Sequence, residues 1–212
     1  MPDINITAVL IGFAVLLFSL TVHESAHAWT ADRLGDPTAR LLGRVSFNPI
    51  VHADPIGTVL FPLVAMFTGV PLIGWAKPVP VNVNRLPNPR RDYAIVAAAG
   101  PASNLVMAFV AASVLTLVPL PPSSGELTAS VYLAFFLGRA VQLNVLLAVF
   151  NMLPIPPLDG GNVLSALLPR PIATIFDQIR PYGFLLIYGL LLTNGFYYLV
   201  LRPSNLISSW LP

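Results

Sequence analysis

The sequence predicts an all-α polytopic membrane protein, and three observations carry that prediction. Of its 212 residues, 56% are hydrophobic and only 9% are charged, whereas a soluble domain usually carries about 25% charged residues. The apolar residues gather into five stretches, each about as long as the roughly 20 residues that a helix needs to cross the hydrocarbon core. The basic residues gather between these stretches, as in the loops of membrane proteins. We expect one membrane-embedded domain over residues 1–212.

Four of the five stretches are predicted to span the bilayer as helices: 6–29, 93–118, 129–153 and 181–201. The fifth, 56–75, is predicted to dip into the membrane and return on the same side. The segments that flank it, 30–55 and 76–92, both hold several basic residues, and an excess of Lys and Arg marks cytoplasmic loops. Segment 119–128 has no basic residue and is assigned to the outside. An ordinary spanning helix with an imperfect charge pattern is the alternative for 56–75.

Two short segments at the cytoplasmic face are predicted to be extended. Residues 44–47 and 79–83 alternate with a period near two, which is typical of strands. Both segments flank the stretch that is expected to dip, so they should lie at the membrane surface as edge strands.

The composition also limits the chemistry. The chain has no cysteine, so it has neither a disulfide framework nor a thiol nucleophile, and a metal site must use His, Asp, Glu or Asn. Its formal net charge of +2 is small and spread along the chain, which does not indicate nucleic-acid binding. The expected surroundings are the lipid bilayer.

Residues 23–27 read His-Glu-Ser-Ala-His at the end of the first apolar stretch. On a helix, His23 and His27 lie on one face, one turn apart, so their imidazoles can share one zinc ion. Glu24 projects about 100° around the helix, where its carboxylate can accept a proton from the attacking water. The alternative is a set of polar residues that face the headgroups. Ionisable groups are rare on a spanning helix, and two of the three histidines lie here, which favours the metal site.

Asp159 is the best candidate for a further metal ligand. It precedes Gly160, and Asp-Gly is also a common turn pair, so a turn aspartate is the alternative. The predicted topology favours the ligand. If 56–75 returns to its own side, Asp159 arrives at the same side and depth as the histidines. If 56–75 spans once, Asp159 lies about 30 Å away across the bilayer.

These two motifs together resemble those of the site-2 protease family of intramembrane zinc metalloproteases. The second motif reads Asn151-x-x-Pro154-x-x-Pro157-Leu158-Asp159-Gly160. Further residues are similar to the small bacterial branch of the family, and the resemblance extends from about residue 20 to 165. They include Gly35-Asp36-Pro37, Asn48-Pro49, His52-x-Asp54-Pro55, Gly74-Trp75-Ala76-Lys77-Pro78 and Gly100-Pro101-x-x-Asn104. No part of the chain resembles the PDZ or CBS domains that members commonly bear.

The resemblance implies a function and a role for each site residue. The chain would be a zinc metalloendopeptidase that cleaves transmembrane protein substrates in regulated intramembrane proteolysis, in the plasma membrane and with its active site near the cytoplasmic side. His23, His27 and Asp159 would bind zinc, and Glu24 would be the general acid and base. Asn151 would lie near the metal and hydrogen-bond the oxyanion of the tetrahedral intermediate.

Several polar residues remain open. Asn104 either assists the site or packs helices together. His52 and Asp54 either contact the site or cap and tether the turn that follows, and we favour the structural role. Arg139, Gln142 and Asn144 lie in one apolar stretch, and we expect a structural network with Asn144 near the site.

Two other classes of function remain as alternatives. A membrane metal transporter would also use His and Asp inside the membrane, but it has no need for Glu24 beside His23, and transporters often show internal repeats, which this sequence lacks. A catalytically inactive scaffold that binds transmembrane helices is less favoured, because every residue that the chemistry requires is present.

Overall fold

A computed structural model describes residues 6–68, 74–119 and 128–212, and these residues form helices and connecting loops without a strand. The predicted all-α class is therefore confirmed for the described part of the chain. Two π-helical turns, Pro55–Leu60 and Tyr197–Leu201, and two 3-10 turns, Val83–Arg85 and Arg180–Tyr182, join the helices. The helices are α1 (Ile6–Arg33), α2 (Thr38–Leu41), α3 (Pro49–His52), α4 (Phe61–Thr68), α5 (Pro89–Leu115), α6 (Ala129–Asn151), α7 (Asp159–Leu167), α8 (Arg170–Asp177), α9 (Gly183–Leu191) and α10 (Arg202–Ser208).

Three helices in the described ranges, α1, α5 and α6, are long and apolar enough to cross a membrane. They pack against one another and form the centre of the molecule. The buried face of α5 is made largely of small residues, which let the helix backbones approach closely. These residues are Ala97, Gly100, Ala108, Ala111 and Ala112.

The fourth predicted span, 181–201, is divided into two helical pieces. Helix α9 ends at Leu191, and helical structure resumes at Gly195 after a turn. At the break, the Thr193 hydroxyl donates to the carbonyl oxygen of Gly189 at 2.9 Å and accepts from Gly195 N–H at 3.2 Å. A hydroxyl that takes main-chain partners competes with the helical ladder. Because neither piece is long enough to be counted as a span, the predicted total of four spanning helices stays a prediction.

The two ends of stretch 56–75 lie side by side. The Trp75 N–H donates to the Gly57 carbonyl oxygen at 3.1 Å, and the Lys77 N–H donates to the His52 carbonyl oxygen at 2.9 Å. Between them run a π-helical turn and α4, which ends at Thr68. Residues 69–73, which belong to the segment predicted to dip, lie outside the described residues.

Neither of the two predicted extended segments forms a strand. Residues 74–82 have no regular secondary structure and form no ladder, Val83 begins a 3-10 turn, and Pro78 and Pro80 have no N–H to donate. The prediction for 44–47 is wrong, because residues 45–47 form a bend. There, Ser46 Oγ accepts from the Asn48 N–H, and Asn48 Oδ1 caps α3, so local side-chain bonds replace a strand.

Candidate metal and active site

The predicted metal ligands meet at one point. His23 and His27 project from the same face of α1, and their Nε2 atoms are 3.0 Å apart. Asp159, the first residue of α7, places its Oδ2 atom 3.2 Å from His23 Nε2 and 3.4 Å from His27 Nε2. The three residues can each offer one ligand atom within 4.8 Å of the others. The structure therefore brings together the residues that the sequence predicted as ligands.

Two glycines bring Asp159 to this position. A Cβ on Gly160 would collide with the carbonyl oxygen of Met152, and a Cβ on Gly161 would lie 2.7 Å from Pro156 N. Because neither side chain exists, the first turn of α7 packs directly on the loop that leaves α6. The Asp-Gly pair that suggested a simple turn thus also positions the carboxylate.

The tautomer of each imidazole is fixed by the oxygen that its Nδ1 atom contacts. His27 Nδ1 lies 2.7 Å from the carbonyl oxygen of Val96, and His23 Nδ1 lies 2.6 Å from Asn104 Oδ1. An oxygen of this kind only accepts, so each Nδ1 carries the hydrogen. Each Nε2 therefore presents a lone pair toward Asp159, which is the form in which imidazole binds a metal.

A chain of side-chain amides fixes the orientation of Asn104. Asn144 Nδ2 lies 2.9 Å from the carbonyl oxygen of Ala140 and 2.9 Å from Ser19 Oγ. The carbonyl oxygen accepts only, so the amide nitrogen of Asn144 must face it and Oδ1 must face Asn104. Asn104 Nδ2 donates to that Oδ1 at 2.8 Å, which leaves its own oxygen for His23. Asn104 thus orients a predicted metal ligand and joins two helices.

The donor set fits a zinc ion. Two imidazole nitrogens and a carboxylate oxygen face one another without a hydrogen between them, an arrangement that a bound cation stabilises. Asp159 Oδ2 is buried and has no hydrogen-bond donor. Nitrogen and oxygen ligands of this kind are typical of catalytic zinc, which keeps a further position for water or substrate.

Gly100 allows α5 to pack directly against the histidines. A Cβ at this position would lie 2.6 Å from His23 Nε2 and closer still to His27 Nε2. Glycine is therefore required for α5 to approach α1 at the level of the site.

The predicted catalytic residues share one cavity with the metal ligands. This cavity, of about 580 Å³, is lined by Glu24 and Asn151 as well as by the three ligands. A Glu24 carboxylate oxygen accepts from the Val79 N–H at 3.1 Å. Asn151 Nδ2 donates to the carbonyl oxygen of Leu147 at 3.0 Å, which leaves one amide hydrogen for another partner.

The irregular segment 74–82 lies along the same cavity. Ala76, Pro78 and Val81 are among its lining residues, and the Val81 N–H has no hydrogen-bond partner among the described residues. Val79, two residues before Val81, donates its N–H to Glu24, so the segment forms one wall of the site. Sequence patterns did not reveal this contact with Glu24, because a main-chain N–H leaves no mark on residue identity.

His52 and Asp54 have the structural roles that we favoured. Asp54 Oδ1 accepts from the N–H groups of Ile56 at 3.0 Å and Gly57 at 2.7 Å, so it caps the π-helical turn. His52 Nε2–H donates to the carbonyl oxygen of Ser46 at 2.8 Å. Burial lowers the pKa of His52, which favours the neutral ring.

The expected network around Asn144 is only partly present. Asn144 belongs to the amide chain that orients His23. Arg139 and Gln142 take no part in it, so the prediction is wrong for these two residues. They point into a second cavity on another face of α6.

The helical membrane fold and the converging His-His-Asp group, with Glu24 beside it, define the chain as a membrane-embedded metallopeptidase by class. The sequence model described as peptidase family M50 matches residues 11–132 and 120–190. The chain belongs to this family, to which the site-2 proteases also belong. No solved structure gives a significant match to the chain.

Relatives with similar sequences carry names that class them as zinc metalloproteases. YwhC of Bacillus subtilis is 40% identical over 178 residues, which cover 84% of this chain and 78% of YwhC. Rip2 of Mycolicibacterium smegmatis is 33% identical over 178 residues, or 84% of this chain and 64% of Rip2. Rip3 of Mycobacterium tuberculosis is 30% identical over 160 residues, or 75% of this chain and 31% of Rip3. The chain thus spans less than two thirds of both Rip proteins.

Proposed function

We propose that the protein is an intramembrane zinc metalloendopeptidase that hydrolyses peptide bonds of transmembrane protein substrates. The observation that carries the proposal is the convergence of His23, His27 and Asp159, each with a lone pair directed at the same point. Membership of a peptidase family and the zinc metalloprotease names of the relatives support the same conclusion.

His23, His27 and Asp159 hold the zinc ion in this proposal. When bound, zinc polarises the carbonyl under attack and makes water acidic enough to be deprotonated near neutral pH. The Asn104 and Val96 oxygens keep the imidazoles in the tautomer that binds metal.

Glu24 accepts the proton of the attacking water and returns it to the leaving amine. The Val79 N–H keeps the Glu24 carboxylate directed into the cavity. Asn151 directs its remaining amide hydrogen toward the oxyanion of the tetrahedral intermediate and stabilises the negative charge that develops there.

We further propose that residues 56–75 dip into the membrane and return. The hydrogen bond between Trp75 and Gly57 supports this, since it holds the two ends of the segment together. With that topology the basic loops lie in the cytoplasm, and the active site lies near the cytoplasmic side of the plasma membrane. Water then has a short path to the site.

The substrate is an unwound segment of a transmembrane helix, because a helix hides its peptide bonds in its own hydrogen bonds. The irregular segment 74–82 offers main-chain groups to which such a segment can pair by strand addition. The unpaired Val81 N–H and the position of the segment along the cavity support this pairing. Cleavage of a membrane-held factor would release it, which is the outcome of regulated intramembrane proteolysis.

The test is a comparison of zinc content and cleavage in purified protein with Glu24→Gln. We expect zinc to be retained and cleavage of a membrane-embedded substrate to fall by about 10²–10⁴-fold, the usual effect of losing a general base. Asp32→Asn is the matched control, because it makes the same chemical change on α1 at a carboxylate that pairs with Arg40. Its cleavage rate should equal that of the unaltered protein.

Two results would overturn the proposal. Full activity in Glu24→Gln would remove Glu24 from its role. Zinc flux into sealed vesicles without cleavage would favour a metal transporter instead.

A further inference from the structure

Arg139 is placed near the middle of a membrane-spanning helix. It lies ten residues after Ala129 and twelve before Asn151, the two ends of α6. At 1.5 Å per residue, these ends are about 15 and 18 Å away. A charged group at that depth is unfavourable unless it is paired or hydrated, and it commonly marks a functional site.

No carboxylate in residues 6–68, 74–119 or 128–212 pairs with Arg139. Its guanidinium carbon lies 5.1 Å from the centroid of the Phe135 ring, one helical turn away. The side chain is otherwise exposed on the surface of the helix bundle. The positive charge is thus held by an aromatic face and left open toward a partner.

The charge lies in a groove between α1, α6 and α10. The groove has a volume of about 580 Å³ and shares no lining residue with the cavity around His23. Its walls are mainly apolar and include Val9, Leu16 and Leu146. The size and apolar character suit a membrane-embedded occupant.

Polar groups stand beside Arg139 in this groove. Gln142 lies one turn further along α6, and Asn205 and Ser208 come from α10. The side chains of Gln142 and Asn205 form no hydrogen bond within the described part of the chain. They can donate to the same acceptor that neutralises the guanidinium, so the groove combines apolar walls with a patch of hydrogen-bond donors.

We propose that this groove binds a transmembrane helix of another protein that carries an Asp or Glu near the middle of the bilayer. A carboxylate complements Arg139 in charge and accepts hydrogen bonds from the neighbouring amides. The apolar walls contact the remainder of the helix. This interaction is separate from catalysis, since the groove and the active-site cavity have no residue in common.

The depth of Arg139 argues against a phospholipid as the occupant, and the distribution of acidic residues argues against a second copy of this chain. A phospholipid keeps its phosphate at the membrane surface, about 15 Å from the middle of the bilayer. The described residues of a second copy of this chain offer no suitable carboxylate. In the three long helices the acidic residues are Glu24, Asp32 and Asp92; Glu24 lines the active-site cavity, and the other two lie near helix ends.

The experiment uses a synthetic single-span helix of leucine and alanine with one Glu at its centre, and a second helix with Gln there. Association with the labelled protein is measured by energy transfer in neutral-lipid vesicles. The protein carries Glu24→Gln so that cleavage does not consume the helix. We expect the Glu helix to bind at least tenfold more tightly than the Gln helix, and we expect Arg139→Gln to abolish that preference.

A charge reversal at Arg139 and a control substitution at Arg202 test whether the preference for the Glu helix depends on Arg139. Arg139→Glu should prefer a helix with a central Lys, whereas Arg202→Gln, which removes a positive charge from α10 outside the groove, should behave as the unaltered protein. Retained zinc in each variant reports an intact bundle.

Three outcomes would overturn the proposal. Equal binding of the Glu and Gln helices would remove the role of charge. Loss of the preference when phosphatidylglycerol is added would identify a lipid phosphate as the occupant. Energy transfer between two labelled copies that disappears in Arg139→Gln would identify a second copy. None of these results depends on whether the protein cleaves its substrates.

Discussion

Single atoms decide the chemistry of the candidate site at the residue scale. The carbonyl oxygen of Val96 and the amide oxygen of Asn104 place a hydrogen on Nδ1 of each histidine, and so a lone pair on each Nε2. Gly100 then admits α5 to within contact of both rings because it has no side chain. The candidate ligand atoms are therefore already oriented in the protein without a metal.

Gly100→Ala should weaken zinc binding. The added Cβ would lie 2.6 Å from His23 Nε2, so α5 must retreat or the rings must turn. Overpacking of this kind usually costs about 1–3 kcal/mol, which is about 5- to 150-fold in affinity. Zinc content after equilibration with a graded chelator measures the change.

Gly138→Ala is the matched control for that substitution. It lies inside α6, where an added Cβ meets no atom within 4 Å. Alanine there should leave zinc affinity unchanged and stabilise the helix by up to about 1 kcal/mol. Equal zinc affinity in the two alanine variants would contradict the role of Gly100.

The sequence motifs predicted the candidate ligands but not the groups that hydrogen-bond to them. His23, Glu24 and His27 form a local motif, and Asp159 follows from its own motif and the topology. Partners 81 residues apart, such as His23 and Asn104, carry no local periodicity that joins them. The sequence left the role of Asn104 open for this reason, and the main-chain partners of His27 and Glu24 leave no sequence signal at all.

At the scale of elements, the helices hold the candidate metal ligands, and the irregular segment 74–82 contacts Glu24, the proposed general base. Val79 donates to Glu24, and Lys77 is bonded to His52. Prolines at 78 and 80 remove two donors, so the main-chain N–H of Val81 remains for an incoming strand. Strand addition by the substrate would therefore depend on few hydrogen bonds.

Val81→Pro should lower kcat/KM for a helical membrane substrate by about five- to tenfold. It removes one main-chain donor, and a hydrogen bond contributes about 1 kcal/mol net. Val81→Thr keeps the N–H and the branched shape and should retain full activity. Zinc content should not change in either variant. Unchanged cleavage by Val81→Pro would refute strand addition at this segment.

The break in stretch 181–201 shows what hydropathy leaves out at the same scale. An apolar composition predicted one spanning helix there. Thr193 bonds the carbonyl oxygens of Gly189 and Leu190, and its oxygen takes the N–H of Gly195. The signal was present as Thr-Asn-Gly, a turn-forming sequence. Average hydropathy does not register hydrogen bonds of this kind.

For the whole molecule, the path of the chain through the bilayer is decisive, because it determines whether the two candidate metal-binding motifs lie on one side of the membrane. The structure places Asp159 against the α1 histidines and joins Trp75 to Gly57. Both contacts agree with a segment that dips and returns. The charge distribution predicted that path, while the course of residues 69–73 lies outside the described residues.

Cysteine labelling of intact cells tests this path, since the chain has no native cysteine. Single cysteines at Leu42 and Asn84, both exposed, flank the segment in question. A re-entrant segment should leave both inaccessible to a membrane-impermeant maleimide until the membrane is permeabilised. Labelling of one site alone in intact cells would show that 56–75 spans the bilayer.

The hydrogen bonds that run from His23 to Ala140 all point in one direction. His23 donates to Asn104, Asn104 donates to Asn144, and Asn144 donates to the Ala140 carbonyl oxygen and to Ser19. Successive bonds of this kind polarise one another, so electron density accumulates on the imidazole end. Substitution at Ser19 would therefore alter the basicity of His23 Nε2, a candidate metal-binding nitrogen that Ser19 does not contact. Metal affinity can in this way drift or be adjusted during evolution while every ligand stays the same.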